Sequence, residues 1–62
     1  MPDEYIEIDV DETVHQTELA VLFHIAGKEV WVPKSCLDDY PEEGESGVAM
    51  VAEWWAEREG LI

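Results

Sequence analysis

Residues 19–33, LAVLFHIAGKEVWVP, decide the architecture. Leu19 to Phe23 form an unbroken apolar run, and through Ala26 only His24 interrupts it. That is the pattern of a strand covered on both faces or lying centrally in its sheet. Gly27-Lys28 follows, then EVWV from Glu29 to Val32. A two-residue connection with glycine first matches a type II′ turn, so the stretch predicts an antiparallel hairpin whose first strand is the middle one. Pro33 has no N–H and ends the ladder. Trp31, inside the second strand, is expected in the core.

Working outward, residues 4–10 alternate in period two. Ile6, Ile8 and Val10 fall on one face and Glu7 and Asp9 on the other, as in a half-buried strand. After Pro33, Ser35 and Asp38 in SCLD resemble a capping box opening a single helical turn, closed before Pro41. The following DDYPEEGESG reads as an acidic, flexible loop. Val48, Val51, Ala52 and Trp55 share a helical face, yet VAMV, residues 48–51, is equally a short edge strand before a helix from Ala52. Strand followed by helix is the preferred reading. Gly60 fits the left-handed position after a helix, with Leu61 folding back on the last turn.

Sixty-two residues support one domain, 1–62, and a chain of this size buries only about 60% of the surface of its unfolded form. Apolar residues make up 47% of it, enough for a core. Sixteen acidic residues against three basic ones give a formal charge of -13. Solubility of a small domain is served by a magnitude of about 2 to 8, and charge beyond that costs stability by self-repulsion. The field excludes nucleic acid and anionic membrane as direct partners and makes a basic protein surface the natural complement. The single cysteine, Cys36, allows no internal disulfide and points to an intracellular location. No apolar run approaches the roughly 20 residues of a membrane span.

The candidate binding residues are two acidic groups. Glu4, Glu7, Asp9, Asp11 and Glu12 come from the N-terminal stretch, and Asp38, Asp39, Glu42, Glu43 and Glu45 from the loop. Carboxylates at alternate strand positions lie about 7 Å apart, comparable with phosphates along a nucleic-acid strand. A solvated strand face explains Glu7 and Asp9 taken alone. Two groups with three cations to neutralise sixteen acids point instead to phosphate mimicry, in which carboxylates occupy an Arg/Lys-lined groove on another protein.

Competing chemistries fare worse. DVDETVHQTELA places Asp9 and Asp11 as the first and third ligands of a calcium loop, but Val14 stands where glycine is needed and Ala20 where a bidentate glutamate belongs. His15, His24 and Cys36 lack the paired spacing of zinc sites, and His24 reads as a packed strand residue. Nothing marks a base or an oxyanion pocket for Ser35 or Cys36, so no catalytic residue, metal or cofactor is expected. Trp54 and Trp55 point about 100° apart on a helix; Trp55 is expected in the core and Trp54 at its edge or on a partner.

EVWVPKS, residues 29–35, and AEWWAEREGLI, residues 52–62, give the chain a resemblance to small phage and prophage proteins. Those carry a Trp-x-Pro-Lys-Ser block and a Glu-Trp-x-Ala helix ending in Gly-Leu. They commonly have proline where Ala52 stands, the favoured first position of a helix, which supports strand before Ala52 and helix after it. A short, very acidic chain on such a scaffold also resembles anti-CRISPR proteins, the inhibitors of type I-C systems in particular. That resemblance implies a stoichiometric inhibitor in the bacterial cytoplasm, acting on a CRISPR effector subunit, the large Cas8-type one that recognises the protospacer-adjacent motif. Separately from the resemblance, the chain is expected to be a monomer. The alternative is an accessory module of phage replication or recombination that docks through its aromatic helix surface. The expected fold is α+β, a small twisted antiparallel sheet of three to four strands against a C-terminal helix.

Overall fold

The computed structural model describes residues 4–62. Its elements run β1 (Tyr5–Val10), β2 (Glu12–Gln16), β3 (Ala20–Ile25), β4 (Lys28–Pro33), a 3-10 turn (Lys34–Cys36), β5 (Leu37–Asp39), β6 (Gly47–Ala52) and α1 (Glu53–Glu59). The class is α+β, with the strands shared between two antiparallel three-stranded sheets, ordered β1-β6-β5 and β2-β3-β4. Asp11 alone separates β1 from β2, so the chain crosses from one sheet to the other at that residue.

Alternation sets the buried faces. Ile8 and Val10 of β1, Ala49 and Val51 of β6, Val21 and Phe23 of β3, and Val32 of β4 meet Trp55 and Ala56 of α1 in one core, with Cys36 buried among them. β3 is the middle strand of its sheet, as its apolar run requires. β6 is a strand too, but the central one of its sheet rather than an edge. Its neighbours come from different distances along the sequence, β1 from the N-terminal stretch on one side and β5, the strand just before it, on the other.

The hairpin forms with its turn one residue earlier than Gly27-Lys28. Ile25 pairs with Lys28, so Ala26 and Gly27 are the turn residues, with φ of 51° and 82°. Two successive positive φ angles belong to a type I′ turn, whose twist matches that of the strands. Trp31 is not in the core: it is 49% exposed and pairs with Leu22 on the outer face. Val32 is buried and Val30 packs against the core, so alternation turns Trp31 outward between them.

The turn after Pro33 also departs from expectation. It starts at Lys34 rather than Ser35, has no side-chain cap, and releases Asp38 into β5. β2 and β5 have no clear signature in the sequence. β2 carries a register shift between Thr13 and His15 that breaks its alternation, and β5 is three residues long. Helix α1 ends as its sequence indicates. Gly60 has φ 78°, its N–H donates to the Glu57 carbonyl and the Leu61 N–H to that of Ala56, which is a Schellman ending. Trp55 is buried at 8% exposure and Trp54 is 50% exposed.

Candidate partner interface

All ten acids singled out in the sequence are exposed. The β1-β6-β5 sheet determines which of them meet. Glu7 pairs with Met50 and Asp9 with Val48 across β1 and β6, and Met50 pairs on its other side with Asp39 of β5. Residues paired across an antiparallel ladder project to the same face, so Glu7, Met50 and Asp39 form one row on the outer side of this sheet. Neighbouring strands are about 4.8 Å apart, which puts the Glu7 and Asp39 backbones about 10 Å from each other. Asp38 is the extra residue of the irregularity between Leu37 and Asp39. One carboxylate oxygen of Asp39 accepts from the Tyr40 N–H at 2.9 Å, fixing that side chain at the strand end.

The loop of residues 40–46 leaves β5 at the end of the sheet where β1 finishes and β6 begins. It is pinned rather than free. Thr13, fully buried, donates its hydroxyl to the Pro41 carbonyl at 2.9 Å and its N–H to the Glu45 carbonyl at 2.9 Å, and accepts the Gly44 N–H at 2.7 Å. Glu45 N–H donates to the Glu42 carbonyl. Tyr40 donates its hydroxyl to Gln16 Oε1 at 3.2 Å and sets its ring edge-on to Phe23 in the core. Glu42, Glu43 and Glu45 are therefore held beside β2, next to Glu12 and the Asp11 corner. Thr13 is the positioning residue that sequence reading missed; its one signal is a polar side chain at a strand position facing inward.

Cations do little to offset this charge. Among the described residues no lysine or arginine lies within 4.0 Å of a carboxylate, and the close pairs are both with histidine. His15 Nδ1 is 3.1 Å from Glu43 Oε2 and His24 Nδ1 is 3.9 Å from Asp11 Oδ2. His24 is thus partly exposed beside the acidic corner.

Glu4 stands apart from the other nine. Its carbonyl accepts the Glu53 N–H at 2.8 Å, placing it at the opposite end of β1 beside the start of α1. There it helps hold the Glu53 carboxyl above the ordinary carboxylate range: partial burial is the main cause, followed by the nearby charges of Glu4 and Glu57. The ten residues accordingly divide into Glu7, Asp9 and Asp39 on the outer face of the β1-β6-β5 sheet with Asp38 at its β5 irregularity, Asp11, Glu12, Glu42, Glu43 and Glu45 around the β1–β2 corner and the loop held against β2, and the separate Glu4.

No cleft or cavity is found among the described residues, nor any group of three or more His, Cys, Asp and Glu side chains placed to hold a metal. No helix there is long and apolar enough to cross a membrane. Comparison with protein-family models, curated proteins and solved structures finds no match.

Proposed function

We propose that this protein is a stoichiometric inhibitor that presents its acidic surface to a basic nucleic-acid-binding groove of another protein and keeps DNA out of it. The observation that carries the reading is the Glu7–Met50–Asp39 row, with the pinned 42–45 loop beside the Asp11 corner. It joins acids from two distant stretches of sequence into one surface with no lysine or arginine paired to it among the described residues. Strands and an anchored loop fix the backbone that carries these carboxylates, so binding to an arginine-lined groove has their side chains but not their backbone left to order. The resemblance to anti-CRISPR proteins makes the DNA-recognition subunit of a type I-C effector the first target to test.

The experiment is a competition between this protein and target DNA for that effector, measured across a salt series. Inhibition should be stoichiometric and should weaken steeply as salt rises. Glu7→Lys with Asp9→Lys should weaken binding at low salt by at least about a hundredfold while the circular dichroism spectrum stays native. Retention of salt-insensitive binding by the charge-reversed protein would falsify the mechanism.

A second reading, an accessory module of phage replication or recombination, draws on the half-exposed Trp54 of α1. Under that reading Trp54→Ala costs more binding than loss of any one carboxylate, because aromatic anchors dominate such interfaces. Under inhibition by charge the loss spreads over many acids.

A further inference from the structure

Phosphate mimicry calls for carboxylates alone, yet the face that bears them has an apolar centre. Val48, 44% exposed, and Met50, half-buried, occupy successive outward positions of β6, the middle strand. Glu7 and Asp9 border them on the β1 side and Asp39 borders Met50 on the β5 side. An apolar strip between two acidic margins matches a side chain with a long hydrocarbon stem and a cationic end. Charge excludes a second copy of this chain as the occupant, since each copy carries a formal charge of -13.

We propose that the outer face of β6 is a seat for arginine side chains of the basic partner. Their stems and flat guanidinium planes lie over Val48 and Met50, and their N–H groups donate to Glu7, Asp9 and Asp39. Arginine suits this seat better than lysine. Its guanidinium is weakly hydrated, stacks against apolar surface and reaches carboxylates in pairs, whereas an ammonium is a strongly hydrated point charge. The inference rests on the acidic-surface reading above and adds the chemistry that the partner must present.

Calorimetric titration with nona-arginine and nona-lysine peptides, which carry equal side-chain charge, tests it across a salt series. The unaltered protein is expected to bind the arginine peptide about tenfold more tightly at 0.15 M salt. Val48→Thr with Met50→Gln, which leaves every charge in place, should erase that preference without changing the slope of log Kd against log salt. Val48→Thr alone, conservative for an exposed strand position, should reduce the preference and serves if the double variant does not fold. Trp31→Thr, on the outer face of the other sheet, should leave the preference intact.

Equal affinity for the two peptides overturns the seat and leaves the acidic-surface reading standing. So does a preference that survives the double variant, or one that Trp31→Thr removes. Failure of both peptides to bind at low salt overturns both readings.

Discussion

Thr13 commits its hydroxyl, its N–H and its carbonyl to the 41–45 segment, and it does so from a fully buried position. Thr13→Val keeps the shape and both backbone bonds but leaves the Pro41 carbonyl without its donor. A cost of about 1–2 kcal/mol is expected, measurable by urea denaturation, with faster hydrogen exchange at Gly44 as the local signature. Glu53 raises a question of sign, because a carboxylate in the first turn of a helix is ordinarily favoured by the helix dipole. Here its pKa is raised instead, by partial burial first and then by the charges of Glu4 and Glu57. A raised pKa in the folded state means that folding favours the protonated form. The resulting penalty is complete above the folded pKa and disappears as pH falls below the unfolded value near 4.5. Glu53→Gln should therefore raise the melting temperature at pH 7, by an amount that shrinks through the acid range and is gone below the ordinary carboxylate pKa. A gain that is independent of pH would assign the effect to packing instead.

At the scale of elements, strands of unbroken alternation or continuous apolar pattern were legible, and the irregular or very short ones were not, even where their partners are near in sequence. Ile6, Ile8 and Val10 give β1 its buried face, and the apolar run of β3 marks a middle strand. β2 is hidden by its own irregularity at Val14, and its role is set by residues in the 41–45 segment, far along the chain. The same cause hides the site. The acids can be counted in the sequence, but the Glu7–Asp39 row exists only because β6 enters between β1 and β5, a pairing that local pattern does not encode. The displaced turn is a third case. Gly27 signals a turn, whereas the two-residue type I′ geometry requires a positive φ at Ala26 as well. Alanine tolerates that conformation poorly, and asparagine tolerates it well. Ala26→Asn should stabilise the hairpin by about 0.5–1 kcal/mol, a rise of several degrees in melting temperature for a domain of this size.

For the molecule as a whole, the excess of acids acts on the fold and on the complex with opposite dependence on salt. Repulsion among like charges weakens the folded chain, and added salt screens it. Attraction between this surface and a basic groove is screened by the same ions. A protein whose acids were held by its own lysines and arginines would lose those pairs as salt rose, but the pairs found among the described residues are His15 with Glu43 and His24 with Asp11, both on the surface. The melting temperature at pH 7 should therefore climb as sodium chloride is raised from 0.05 to about 0.5 M, over the range in which the Debye length contracts from more than 10 Å to less than 5 Å. Binding to the partner should fall over that same range. Scanning calorimetry of the free protein beside titration of the complex measures the two trends together. A melting temperature that fell with salt would mean that the acids stabilise this fold through internal pairing, and their display to a partner would then lose its main physical support.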